Sequence, residues 1–276
     1  MQPADSATRQ VVEYYSHYDE QGRLAEGWGQ VEFIRTQSII RRYLQPPPAV
    51  VLDVGGAAGR YACWLATAGY QVHLIDPVPL HIEQAQAASA QQPEHPLASC
   101  RLGDARDLEF ESGLADAVLL MGPLYHLAQA ADRHQALTEA HRVLKKGGYL
   151  FAVGISRFAS TIDGLLEGYF QDPAFREIMR GDLQDGHHQN PTQNPLYFTD
   201  TFLHHPDELT AEVVAAGFEC RALVAIESIS YMMKDFAANW TDNRYRTFLL
   251  EIISQIDQEP SLIGASPHIM CVATKI

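Results

Sequence analysis

The stretch Val51-Leu52-Asp53-Val54-Gly55-Gly56-Ala57-Ala58-Gly59-Arg60 is where this sequence concentrates chemistry. A β-branched run enters a cluster of glycines and then a helical pattern, so backbone can approach a ligand closely at a helix start. A dinucleotide fingerprint would require G-x-G-x-x-G. Counted from Gly55, its second and third glycine positions hold Ala57 and Arg60, and the pattern fails twice. The residues read instead as D-x-G-x-A-x-G, with Asp53 two positions ahead of the first glycine. A carboxylate there suits a ligand bearing an ammonium group rather than a pyrophosphate. The bland alternative is a tight strand-to-helix turn with no ligand.

Further candidates stand at the ends of the next apolar runs. Asp76-Pro77 follows Gln71 to Ile75, and Gly103-Asp104-Ala105-Arg106-Asp107-Leu108 follows Ala98 to Leu102. Met121-Gly122-Pro123-Leu124-Tyr125-His126-Leu127 closes the run that begins at Asp116. In open α/β sheets ligands bind beyond the carboxyl ends of the strands, which is where these residues fall. Histidine titrates near neutrality, so His126 suits a general base; it reads equally well as a loop-structuring side chain, and Tyr125 shares that ambiguity. Asp76 reads equally as the cap of the following helix. His187-His188 and His204-His205 bring no Cys or carboxylate at ligand spacing, and adjacent histidines do not share a face. No metal is expected.

The elements that must position these groups follow from periodicity. Residues 1–45 have helical spacing and stop at Pro46-Pro47-Pro48. From Ala49, short apolar runs alternate with helical ones, which indicates βαβ units around a parallel sheet. Five strands are expected by Gly154, with a helix from about Ala131 to Lys145 closed by Lys146-Gly147-Gly148. Residues 156–205 break the rhythm with many aromatics among Gly, Asp, Asn, Pro and His. A segment of that length is read as an inserted cap with a function of its own. A helix from Pro206 to about Ala216 and strands at Glu219 to Ile226 and His268 to Thr274 complete the pattern. Four parts result: a helical lid (1–48), an α/β core (49–155), an acceptor cap (156–205) and the completion of the core (206–276).

Composition narrows the partners. The 276 residues carry 20 Lys+Arg against 34 Asp+Glu, a net charge of −14, which disfavours a nucleic-acid partner. Four scattered cysteines form neither a disulfide framework nor a zinc pattern, and no apolar run approaches a membrane span. A cytoplasmic protein without a signal peptide or membrane partner is expected.

The glycine stretch resembles motif I of the class I S-adenosylmethionine-dependent methyltransferases, with Ala57 in place of the usual middle glycine. Leu74-Ile75-Asp76, the G-D-A-x-D-L turn at Gly103 and the run from Ala115 to Leu127 are similar to later motifs of that family, in its order and spacing. The run Gly122-Pro123-Leu124-Tyr125-His126-Leu127 and the ending from Glu259 to His268 resemble a bacterial methyltransferase-11-type subgroup that acts on small molecules. The resemblance implies a doubly wound, mostly parallel seven-stranded sheet that binds S-adenosylmethionine and releases S-adenosylhomocysteine. It implies that Asp53, Gly55, Gly56, Ala57 and Gly59 form the cofactor loop. Asp76 with Pro77 would take the ribose hydroxyls, since a carboxylate accepts from both. Asp104 would accept from the adenine amino group and the Ala105 N–H would donate to the ring, with Met121 and Gly122 also cofactor-binding. In similar proteins an N-terminal helix folds over the cleft, which makes Tyr14 and Arg23 candidates for the methionine carboxylate or the acceptor. The implied reaction moves a methyl group to O, N or S of a small molecule, in a monomer or homodimer. The alternatives are a catalytically idle cofactor-binding regulator or partner subunit, a nicotinamide-dependent oxidoreductase, and an RNA methyltransferase.

Overall fold

Alternation along the apolar runs decides the architecture. In a strand, successive side chains point to opposite faces, so a run that is apolar throughout must be covered on both. The computed structural model describes residues 6–15, 20–192 and 194–276. Its strands are β1 (Val50–Val54), β2 (Gln71–Asp76), β3 (Ser99–Leu102), β4 (Ala115–Leu120), β5 (Leu144–Ser156), β6 (His187–His188), β7 (Thr201–His204), β8 (Phe218–Ala225) and β9 (His268–Lys275). Seven of them form the sheet β3-β2-β1-β4-β5-β9-β8, parallel up to β5, with β9 antiparallel to both neighbours. The doubly wound, mostly parallel sheet that the sequence implies is the one found.

The helices are α1 (Ser6–Tyr15), α2 (Glu20–Arg23), α3 (Gly29–Tyr43), α4 (Arg60–Thr67), α5 (Pro79–Ala90), α6 (Pro123–His126), α7 (Ala130–Val143), α8 (Ala159–Leu166), α9 (Pro173–Asp185), α10 (Pro206–Ala215), α11 (Phe236–Thr241), α12 (Asn243–Gln255) and α13 (Pro260–Ile263). One sheet face, with Val51, Leu74, Leu119, Phe151 and Val272, packs on Ile39 and Ile40 of α3, Leu65 of α4 and Ala85 of α5. The other, with Leu52, Val118, Leu150 and Cys271, packs on Leu137 and Ala140 of α7 and Leu209 and Val213 of α10. Asp53 shares its strand face with Val51, so its carboxylate lies at the edge of a sealed apolar layer.

Two expectations change. The helix read as reaching Lys145 stops at Val143. Leu144 pairs in register with Ala115, and Lys145 bonds both oxygens of Asp116 at 2.8 Å, which draws the chain into β5. The stretch 156–205 is also more than a cap: its β7 pairs parallel with the end of β5, and β6 adds antiparallel to β7. Segregated aromatic and polar residues hid a four-residue strand. Among the described residues, no helix is long and apolar enough to cross a membrane.

The first long helix is pinned to the sheet by a buried ion pair. Arg35, 2% exposed, bonds the Asp257 carboxylate and donates from Nε to the Ile226 carbonyl at 3.2 Å, while Arg42 meets the same carboxylate at 2.5 Å. Removing one buried partner leaves a charge half-compensated, so Arg35→Ala should destabilise the protein by about 3 kcal/mol in urea unfolding. A loss below about 1 kcal/mol would show that the pair does not hold α3 in place.

Candidate active site

The glycine stretch forms a loop at the carboxyl end of β1. Gly55 and Gly56 donate to the Ile75 carbonyl, and Ala57 donates to Asp76 Oδ2 at 2.9 Å. Gly55 has φ +73°, and a Cβ there would meet Pro123 Cδ at 2.7 Å. A Cβ on Gly56 would stand 2.8 Å from the Asp53 carboxyl. Ala57 holds φ +46°, the left-handed region the usual glycine would occupy, at a cost of about 1–2 kcal/mol for an L-residue. The other oxygen of Asp76 accepts from Val78 N–H at 2.9 Å and pairs with His81 Nδ1 at 3.0 Å. Asp76 therefore organises the glycine loop and the turn that enters α5, but it does not cap that helix: the N-cap position is Val78, and no side chain caps it.

These residues line one cleft enclosing about 1230 Å³. Arg23, Asp53, Gly55, Gly56, Ala57, Asp76, Pro77, Asp104, Ala105, Met121, Gly122, Tyr125 and His126 all face it. Gly59 does not; at φ +83° it starts α4, and a Cβ there would meet Ala85 Cβ of α5 at 3.2 Å. Tyr14 also lies elsewhere, in a neighbouring chamber of about 1250 Å³, and it is Tyr15 of α1 that lies in the cleft. In the aromatic N-terminal run, Ser16, His17, Tyr18 and Asp19 lie outside the described residues. The two cavities share Tyr15, Arg23, Tyr125 and His268.

Electrostatics differentiate the polar groups. Asp53 is 1% exposed, and its Oδ2 has no hydrogen-bond partner among the described residues. Burial and the nearby Asp76 charge push its carboxyl up to about 7. A buried carboxylate in that state gains from a cationic ligand. Asp104 accepts from the Arg106 N–H at 2.8 Å and from its guanidinium at 2.7 and 3.0 Å, so the turn after β3 is locally clamped.

His126 is not poised as a base near neutrality. Burial first, and then electrostatic repulsion from His81, lower it to about 3, and Tyr15 Oη lies 2.9 Å from its Nε2. Its Nδ1 is buried with no partner among the described residues. Tyr125 donates to the Met121 carbonyl at 3.1 Å, which braces the turn after β4. Loop bracing, the bland reading of both residues, describes these contacts better than proton transfer does.

A histidine in the cleft whose environment favours a proton is His268, which the sequence placed in the Glu259-to-His268 ending without giving it a role. His268, the first residue of β9, bonds Glu227 Oε1 through Nδ1 at 2.6 Å and stands 4.0 Å from Glu32. Against desolvation, those two carboxylates raise it to about 9. Glu227 is itself fixed by Ser266 Oγ at 3.0 Å and His268 N–H at 3.1 Å. Arg23 meets Glu32 through two bonds of 2.5 and 3.1 Å. Ligating atoms of Glu32, Glu227 and His268 lie within 4.8 Å of one another, but Arg23 and the imidazolium balance both carboxylates. The group behaves as an ion-pair network. Its members are 195 and 41 residues from one another in sequence, so only the fold assembles them.

The histidine pairs of the 156–205 stretch serve structure. His188 links Asp182 at 2.9 Å to the Tyr197 carbonyl at 2.7 Å, and His205 accepts from Asp207 N–H to start α10.

With this geometry in place, comparison with known proteins is informative. A family model described as a methyltransferase domain matches residues 52–152, the segment from β1 into β5 that carries the glycine loop, Asp76, Asp104 and the Gly122 turn. Residues 52–152 are a class I S-adenosylmethionine-dependent methyltransferase domain. The methyltransferase is similar in fold to an S-adenosylmethionine-dependent methyltransferase of Methanosarcina mazei, at 19% identity over 86% of this chain and 97% of that one, with a TM-score of 0.59. It is similar to geranyl diphosphate C-methyltransferase of Streptomyces coelicolor, at 11% identity over 99% and 100%, TM-score 0.61, a structure that holds S-adenosylhomocysteine. The [4+2]-cyclase SpnF shares the fold at 15% identity over 99% and 98%, TM-score 0.59. No curated relative matches the sequence.

Two titrations check the electrostatics. By NMR, His268 of the methyltransferase should stay protonated to about pH 9 and His126 neutral down to about pH 3; Glu227→Gln should bring His268 down towards 6.5. Two histidines titrating together near 6.5 would refute this account of the site.

Proposed function

We propose that the methyltransferase uses its first cleft for S-adenosylmethionine and its second chamber for a small-molecule acceptor, methylated on O, N or S. The observation that supports this reading is the meeting of the two cavities at Tyr15, Arg23, Tyr125 and His268, just beyond the ends of the central strands. When bound, the cofactor supplies both the methyl group and its sulfur leaving group, so the chain's task is alignment and exclusion of water.

Each part of the cleft has a fitting task. The buried Asp53 carboxylate suits the cofactor's ammonium group, and the glycine loop leaves room that side chains at 55 and 56 would fill. Asp76 keeps a spare lone pair on Oδ2 while holding the loop, enough to accept from a ribose hydroxyl, whereas Oδ1 is filled by Val78 N–H and His81. Asp104 and Ala105 stand where the adenine would lie, and Met121 and Gly122 line the cleft wall between them and the acceptor side. Tyr15 of α1 closes the cleft over His81 and His126, at ring separations of 5.2 and 5.4 Å. That contact supports the lid reading of the N-terminal helices.

Calorimetric titration provides the test. S-adenosylhomocysteine and S-adenosylmethionine should bind, NAD(P) should not, and Gly56→Ala should weaken binding about tenfold or more by overpacking the loop. Near pH 7 binding should release roughly half a proton, because a cation beside Asp53 lowers a carboxyl that is half-protonated in the empty cleft. Proton uptake, or binding of NAD(P) in place of the two S-adenosyl compounds, would contradict the assignment.

Asp53 also has a stability signature. Its folded pKa, about 7, exceeds the ordinary value of 3.8, so its contribution is fully present below pH 3.8 and is lost as pH rises through 7. Asp53→Asn should therefore raise the melting temperature of the empty protein at pH 8 but not at pH 3.5, while weakening the cofactor.

A further inference from the structure

The second chamber has a chemical character of its own. Tyr169, Phe175 and Tyr197 form one wall, with ring centroids 4.7 to 5.4 Å apart, and Tyr14 and Phe198 face each other at 5.6 Å on another. Phe198 adopts φ +64°, ψ −179°, a conformation that an L-residue reaches only under constraint. Asn190 supplies that constraint by donating to the carbonyls of Phe198 at 2.7 Å and Asn194 at 2.8 Å. Strain held in place by a side chain, at the wall of a cavity, is characteristic of a ligand clamp.

Charge in the chamber is unevenly matched. Arg23 pairs with Glu32, and His268 with Glu227 and, at 4.0 Å, Glu32, so two cations meet two carboxylates. Asp163 of α8 also lines the chamber, and among the described residues no ion pair or hydrogen bond satisfies its carboxylate. It is open to chamber solvent, yet enclosed enough that desolvation pushes it up to about 6 against the pull of His268. One helical turn earlier, on the same face, Ser160 is 6% exposed and its Oγ has no partner among the described residues. An uncompensated carboxylate, an unpartnered hydroxyl and five aromatic rings make a site for an organic cation, held by charge, one hydrogen bond and cation–π attraction.

We propose that the acceptor is an amine that enters the chamber as its ammonium ion, with Asp163 as counter-ion and Ser160 as hydrogen-bond partner. This deepens the functional reading above and rests on it. Transfer then balances simply: the nitrogen sheds one proton to chamber water, and its lone pair forms the C–N bond. The C–S bond breaks as it forms, and sulfur keeps that electron pair. Anionic acceptors are disfavoured by Asp163, and neutral ones leave it unmatched.

Benzyltrimethylammonium tests the site without turnover, because it is permanently cationic and has no lone pair to methylate. Titrated into the S-adenosylhomocysteine-saturated protein, it should bind at least about tenfold more tightly than benzyl alcohol or benzoate. Asp163→Asn, a solvent-facing change, should remove most of that preference and leave S-adenosylhomocysteine affinity unchanged. Phe198→Leu should weaken the cation without affecting benzoate. Equal or tighter binding of benzoate, no binding of the cation, or a cation affinity unaltered in Asp163→Asn would each overturn the proposal. Loss of S-adenosylhomocysteine binding in the unaltered protein would instead remove the cofactor reading, so the two failures are distinguishable.

Discussion

One carboxylate ties the cofactor loop to the scaffold. Asp76 sits at the end of β2 and is almost fully buried; it takes the Ala57 N–H with one oxygen and the Val78 N–H and His81 with the other. Through it the glycine loop after β1, the start of α5 and the underside of the lid share a single anchor. The backbone at Gly55 and Ala57 can hold positive φ because those bonds, together with the Ile75 carbonyl, over-determine its path. Asp53 Oδ2 has no hydrogen-bond partner among the described residues, and burial beside the Asp76 charge raises its carboxyl to about 7.

The two cavities differ in how their charges are settled. On the cofactor side, both buried acids sit close together and His126 is held neutral by burial. At the junction, carboxylates and cations pair one to one around His268. In the outer chamber, aromatic walls surround a single uncommitted acid. The fold alone does not determine chemistry, as the similarity to a cyclase illustrates.

Much of the fold was legible because its signals are local. Continuous apolar runs at Val51, Val72 and Val118 mark strands covered on both faces, and Gly55 to Gly59 mark a turn that only certain backbones can make. The cleft residues before Leu127 follow from those runs, since each stands at a strand end. What escaped has no local signature. His268, Glu227 and Glu32 are joined only when β8 and β9 bring distant segments beside α3. The choice between Tyr14 and Tyr15 depends on helix rotation, which an even mixture of aromatics does not fix. His126 looks like a base by residue type, but burial beside His81, which residue type does not reveal, lowers it to about 3. Residues 156–205 were opaque for a similar reason: their aromatics pack on one another and around a cavity, so no period emerges.

The account's central claim is that methyl transfer takes place where the two cavities join. NMR of the protein bound to S-adenosylmethionine carrying a 13C-labelled methyl group measures this directly. Nuclear Overhauser contacts from that methyl to the side chains of Tyr15, Tyr125 and His268 are the predicted result. A bound methyl group whose contacts run instead to Asp104 and Ala105, or to none of the junction residues, would contradict it.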